Sequence, residues 1–212
     1  MSDIKRPPRE RRLATKPDRA RLFEIASEQG GYFTADQARA FGFSWALLSH
    51  HAKSGHFIRV RRGLYRFREY PSSPREHVLT AWLAVGKDVA VVSHESALDL
   101  LGLSDVIPAA VHLTVSRSRR NLPSIPGVKI HTTLRLLRQG DRVIRDGMTV
   151  TPATRTILDA AETGTPSEQI EMATIQAIER GLATAQQLRR DASERGGRVA
   201  KLIANALHKV EQ

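Results

Sequence analysis

TADQARAFGFSWALLSHHAKSGHFIRVRRGLYRF, residues 34–67, is the stretch whose spacing decides the fold. Thr34 stands directly before Ala35, Ala38 and Phe41, with Gln37 three residues on. That is the pairing of a reciprocal capping box, and Gly42 closes the short helix it opens. After a turn of two or three residues Ser44 caps another helix, Trp45 to Ser54, which Gly55 ends. Helix, tight glycine-containing turn, helix is the sequence form of a helix-turn-helix. The run from Phe57 to Phe67 then reads as two strands meeting at Arg62-Gly63, a hairpin with Ile58, Val60, Leu64 and Tyr65 as its apolar contacts.

Upstream, Leu22, Phe23, Ile25 and Ala26 recur at helical spacing behind a capping Asp18, and Gly30-Gly31 ends that run. Residues 18–72 are therefore expected to form a winged helix-turn-helix domain that grips duplex DNA. A 3.6-residue period puts Leu48, His51 and Ala52 on the packed side of the third helix, with Trp45 and Leu47 at its borders. Ala46, Ser49, His50 and Lys53 fall on the other side, and with Trp45 they are the candidates for the major groove. Arg59, Arg61, Arg62 and Arg66 lie at or near the hairpin tip, where guanidinium groups fork onto phosphate oxygens or enter a minor groove.

Charge agrees with this placement. The chain carries a net +11 over 212 residues, and residues 1–75 hold 16 Lys/Arg against 7 Asp/Glu. Such a footprint suits a phosphate backbone. Four or so wing arginines and two or three other cations on phosphates predict a log–log salt slope of about −5 to −6. Residues 1–17, with Pro7, Pro8 and Pro17 among Arg6, Arg9, Arg11 and Arg12, read as a basic flexible arm. They contain no apolar core of a signal peptide, and no apolar run approaches a membrane span, so a cytoplasmic protein is expected. With no cysteine, disulfides, thiolate metal sites and cysteine nucleophiles are excluded.

Pro71-Ser72-Ser73-Pro74 marks a boundary, and residues 75–212 read as a mixed α/β domain with a helical C-terminus. The pattern predicts a helix to Ala84, strands at Val89–Ser93, Val111–Val115 and Val128–His131, a strand pair within Arg142–Val150, and a helix over His94–Leu101. Further helices begin near Ala153, Ser167, Thr184 and Arg198. The fold class expected is thus α/β of the α+β kind. No phosphate loop, metal-ligand pair or nucleophile elbow stands out, so no catalytic residue, metal or cofactor is expected. His94-Glu95 could pair as base and orienting carboxylate, although His94 would equally cap a helix; His112 and His131 read as lone strand histidines. Asp141 and Asp146 read as turn formers. Thr151 reads as a helix cap, with Pro152 in the first turn and Arg155 and Asp159 at ion-pair spacing.

Taken together, GGYFTADQARAFGFS, SGHFIRVRRGLYRF, VVSHESALDLLGL, PAAVHLTVSRSRR, GVKIHTT and TPATRTILDAA resemble the AbiEi-type antitoxin family of bacterial abortive-infection, type IV toxin-antitoxin systems and its transcriptional-regulator relatives. The resemblance implies an N-terminal winged helix that binds inverted repeats in its own promoter and represses an antitoxin–toxin operon. It further implies a C-terminal α/β domain that counters a nucleotidyltransferase-like toxin without a stable complex. His51 stands where the family usually has an apolar residue. A stand-alone regulator, and a nuclease or transferase targeted to DNA by the winged helix, are the alternative readings the residues leave open.

Overall fold

The carboxylate of Asp18 accepts a hydrogen bond from the Arg21 N–H at 3.0 Å and so opens α1 (Arg19–Ser27), which buries Leu22 and Ala26. In the computed structural model, which describes residues 16–134 and 142–210, the chain divides into two compact units, residues 1–71 and 72–212. The proposed arm before residue 16, and Asp141, lie outside the described residues.

A short strand not foreseen from the sequence, β1 (Tyr32–Thr34), follows α1 and leads into α2 (Ala35–Ala40). The capping box forms as expected: Gln37 N–H donates to Thr34 Oγ1 at 3.2 Å, and Thr34 N–H donates to Gln37 Oε1 at 2.8 Å. Then come α3 (Trp45–Lys53), β2 (Phe57–Arg61) and β3 (Leu64–Phe67). The three strands form an antiparallel sheet in the order β1-β3-β2. Gly31 permits the entry into β1: its φ is +84°, and a Cβ there would lie 2.3 Å from Tyr70 Cγ.

The side chains facing the helices are aromatic. Phe33, fully buried, has its ring centroid 4.9 Å from Phe57, 5.1 Å from Phe67 and 5.8 Å from Tyr65. Leu22, Ala26, Ala38, Phe43 and Leu48 close this core from α1, α2, α3 and the turn between the last two. Leu64 and Tyr65 are buried as expected, but Ile58 and Val60 are only half-buried, and Phe57 and Phe67 take the core positions instead. The reason is register. Ile58 pairs with Arg66, which also pairs with Tyr32, placing all three on the sheet face away from Phe33 and Tyr65.

The second unit opens with α4 (Glu76–Val85), whose Trp82 Nε1 donates to Ala90 O at 2.8 Å and ties it to β4 (Ala90–Val92). Next are α5 (His94–Leu101), β5 (Val111–Ser116), a single 3-10 turn (Arg117–Arg119), β6 (Val128–Thr133), β7 (Val143–Arg145) and β8 (Met148–Val150). The strands form one mixed sheet, β6-β5-β4-β8-β7, with β5/β6 and β4/β8 parallel and the other two pairs antiparallel. Four helices complete the chain: α6 (Ala153–Thr163), α7 (Ser167–Glu179), α8 (Ala185–Arg195) and α9 (Gly197–Val210). The mixed α/β class and the helical end agree with the sequence reading. Thr151, expected as a helix cap, is not one: Pro152 holds the cap position of α6. The Thr151 hydroxyl instead meets Thr156 Oγ1 at 2.6 Å, because β8 delivers it fully buried to the sheet–helix junction.

Candidate nucleic-acid interface

Ser44 Oγ accepts from the Leu47 N–H at 3.1 Å and fixes the first turn of α3. Leu48 is fully buried, Leu47 is half-buried, and Ala46, Ser49, His50 and Lys53 are exposed. Trp45, 55% exposed, stands at the head of this face, with the Arg39 guanidinium 5.4 Å from its ring centroid. The helix therefore presents one continuous strip that mixes an indole, small side chains, a hydroxyl, an imidazole and an ammonium. Lys53 also sits in its last turn, where positive charge complements the helix dipole.

His51 faces inward as its period demands and behaves as an aromatic disc, its centroid 4.9 Å from Phe57 and 5.9 Å from Phe43. Its Nδ1 is buried without a hydrogen-bond partner. Burial first, and then the neighbouring His56, His50 and Arg19, hold its pKa below the usual histidine value, so the ring packs in its neutral form. Replacing it with leucine removes an unsatisfied polar atom at similar bulk. His51→Leu should stabilise the N-terminal unit by about 1 kcal/mol, read as a raised denaturation midpoint; a lowered midpoint would show that the ring's own contacts outweigh the buried nitrogen.

At the hairpin turn Gly63 has φ +77°, and nothing lies within 4 Å of where a Cβ would sit, so the requirement there is conformational. The Ala35 N–H donates to Gly63 O at 2.8 Å, fastening the turn to the start of α2. Arg59 pairs with Tyr65, whereas Arg61 pairs with Leu64, with a register shift between them. This bulge turns two arginines only two residues apart onto opposite faces of the hairpin. Arg59 and Arg62 are exposed and Arg61 is half-buried. Arg66, expected at or near the tip, lies within β3, half-buried, with its guanidinium 5.8 Å from the Tyr32 ring centroid.

Two supporting side chains escaped the sequence reading. Arg68 Nε donates to Gly55 O at 2.5 Å and clips the segment that follows β3 to the one that follows α3. Arg19 pairs with Glu69 and lies over the Phe67 ring at 5.3 Å, joining α1 to the end of the sheet. Partners thirteen and fifty residues apart leave no local pattern to read.

The second unit holds a cleft of about 960 Å3 lined by His94, His131, Arg155, Asp159, Arg190 and Arg195, among others. The expected Arg155–Asp159 pair is present, with Arg155 Nε 2.7 Å and 2.9 Å from the two carboxylate oxygens. Arg195, on α8, donates to the same nearly buried carboxylate at 2.5 Å and to Glu162 at 2.6 Å. The suggested His94-Glu95 partnership is not made. Glu95 accepts from Thr165 Oγ1 at 2.9 Å and lies 4.0 Å from His112 Nε2, while His94 Nδ1 meets Ser93 Oγ at 2.9 Å. Ser93, not His94, holds the cap position of α5. Nor are His112 and His131 lone residues: parallel β5 and β6 bring His131 Nε2 within 3.1 Å of His112 Nδ1, and His94 stacks on His131 at 3.6 Å.

Among the described residues, no helix is long and apolar enough to cross a membrane. No curated protein matches the chain. A crystal structure of the RV2827C protein from Mycobacterium tuberculosis is similar with a TM-score of 0.59 at 14% identity, covering 88% of this chain and 74% of that one. Likeness at that identity concerns the fold alone. A family model described as "Transcriptional regulator, AbiEi antitoxin" matches residues 20–68, which span α1 to β3 and the whole exposed strip of α3 and the hairpin. Over residues 20–68 the chain is thus similar to the AbiEi antitoxin family of transcriptional regulators, and the match supports a transcriptional regulator or antitoxin in general.

Proposed function

We propose that residues 18–72 act as a winged helix-turn-helix, with α3 in the major groove of duplex DNA and the β2–β3 hairpin on the flanking backbone. The observation that carries this reading is the juxtaposition of an exposed, hydrogen-bonding strip on α3 with an arginine-bearing hairpin in a unit rich in positive charge. Residues 16–71 hold 10 Lys/Arg against 5 Asp/Glu. Trp45, Ala46, Ser49, His50 and Lys53 form the reading strip; Arg59, Arg61 and Arg62 anchor it to phosphates or a minor groove. Arg66 steadies the sheet through Tyr32 and adds to the basic field from behind. The duplex site is taken to be an inverted repeat in the protein's own promoter, so that the protein represses its own operon. The second unit is taken to counter a nucleotidyltransferase-like toxin without forming a stable complex.

Footprinting on the region upstream of the gene tests the first part, and protection of an inverted repeat is the expected result. The roles within the interface separate by substitution. Arg61→Ala with Arg62→Ala should weaken binding to every duplex alike, because phosphate contacts carry no sequence information. Ser49→Ala or His50→Ala should instead cost about 1–3 kcal/mol against the preferred site and little against an unrelated duplex. Equal losses on both duplexes for both sets would undo this division of labour.

A further inference from the structure

Three imidazoles on three different elements converge in the second unit: His94 from the first turn of α5, His112 from β5 and His131 from the adjacent β6. One ring nitrogen of each lies within 4.8 Å of one from both others. We propose that His94, His112 and His131 bind one divalent transition-metal ion of the zinc class, with a coordination position left open toward the Asp159 cleft.

The donor set suits such an ion, since neutral imidazole nitrogens are its commonest ligands beside thiolates, and three protein ligands leave a fourth position open. A tetrahedral ion with bonds of about 2.0–2.1 Å separates its ligand nitrogens by roughly 3.3 Å. His112 Nδ1 and His131 Nε2, 3.1 Å apart, already meet that spacing. His94 and His112 are buried and His131 is half-buried, so the three rings meet at the inner end of the cleft.

Polar groups of the kind that orient metal-bound histidines stand beside two of the three rings. Glu95, anchored by Thr165, lies 4.0 Å from His112 Nε2, beyond hydrogen-bond reach. Ser93 Oγ, itself receiving the Thr114 hydroxyl at 2.8 Å, holds His94 Nδ1 at 2.9 Å. The backbone supplies an independent sign: His94 has φ +54°, a left-handed conformation that costs a non-glycine residue free energy and fixes where its ring emerges. A structural role alone would be served as well by apolar side chains, which carry no nitrogen to satisfy.

Binding requires one movement. A metal lies in the plane of each ring that holds it, so the stacked pair His94 and His131, 18° from parallel, must splay. His131 lines the cleft and is only half-buried, which gives it the room to turn. If His112 Nε2 carries its proton toward Glu95, His131 donates to His112 through Nε2 before binding, and shifting that proton to its own Nδ1 frees Nε2 for the ion with no net proton released.

The test uses the full chain without a histidine tag, freed of metal by chelation and titrated with Co2+ while the visible ligand-field bands are followed. The expected result is one tetrahedral Co2+ per chain, displaced by Zn2+. His131→Gln should weaken binding by more than 100-fold, and Glu95→Gln by about 10–100-fold. His112→Gln should resemble His131→Gln, but its strand is buried, so the half-buried His131 and the non-ligating Glu95 keep the test decisive if that variant does not fold. A His50→Gln/His56→Gln variant controls for the two exposed histidines of the first unit and should bind Co2+ unchanged. Absence of the bands at excess Co2+, or an affinity unaltered in His131→Gln, would overturn the proposal.

Discussion

Raising the salt from about 50 to about 200 mM should lower the affinity of the chain for duplex DNA by about 500-fold, with a log–log slope of about −4.5. The value follows from which cations the structure leaves to meet phosphates. Arg59 and Arg62 are exposed on the hairpin, Arg61 is half-buried beside them, and Lys53 and Arg39 flank the strip on α3. At about −0.9 per neutralised phosphate, five contacts give this slope. Four wing arginines at or near the tip with two or three further cations correspond to about −5 to −6; seating Arg66 on Tyr32 in mid-strand removes one of them, and Lys53 and Arg39 are the two others counted. Fluorescence anisotropy of a labelled duplex across a KCl series measures it directly. A slope near zero would remove phosphate binding, and with it the proposed interface.

Phe33→Ala should abolish DNA binding at any salt, through the fold and not through charge. Phe33 is fully buried and touches Phe57, Tyr65 and Phe67, so its ring joins β1 to both strands of the hairpin. Truncating a phenylalanine of that kind costs about 3–5 kcal/mol, and a unit of this size has only about 3–8 kcal/mol in total at 0.05–0.15 per residue. The variant should leave the N-terminal unit largely unfolded, seen as lost amide dispersion from that unit in NMR while the signals of the second unit persist. Retained dispersion with wild-type affinity would mean that the aromatic cluster is not what holds the hairpin to the helices. The contrast with Arg61→Ala and Arg62→Ala is useful, because those change an exposed and a half-buried side chain and should leave the fold intact.

The helix starts of the first unit were legible because their signals are local. Asp18, Thr34 and Ser44 each sit one residue before the helix they cap and accept from an N–H within it. The inward and outward faces of α3 were equally plain, since a single period sorts Leu48 from Ser49 and His50. Strand β1 was missed because Tyr32, Phe33 and Thr34 are too few to show an alternation, and their partners Leu64–Arg66 lie thirty or more residues away. The same distance problem hid the bulge: whether Arg59 and Arg61 share a face depends on Tyr65 and Leu64 and not on their own spacing. It also hid the histidine cluster. His94, His112 and His131 meet only because β5 runs parallel to β6 with Thr114 opposite His131, and no one-dimensional pattern contains that register.

The bond from the Ala35 N–H to Gly63 O makes the hairpin turn part of the same rigid piece as α2 and the helix that follows it. In the proposed complex, no segment between Asp18 and Phe67 would have to fold when a duplex arrives. Encounter would then be governed by diffusion and by the basic field, with little delay from ordering. Correct and incorrect sites would be approached at nearly the same rate, so discrimination would fall on dwell time: the protein would sample many sequences briefly and remain at the one whose bases suit the proposed strip.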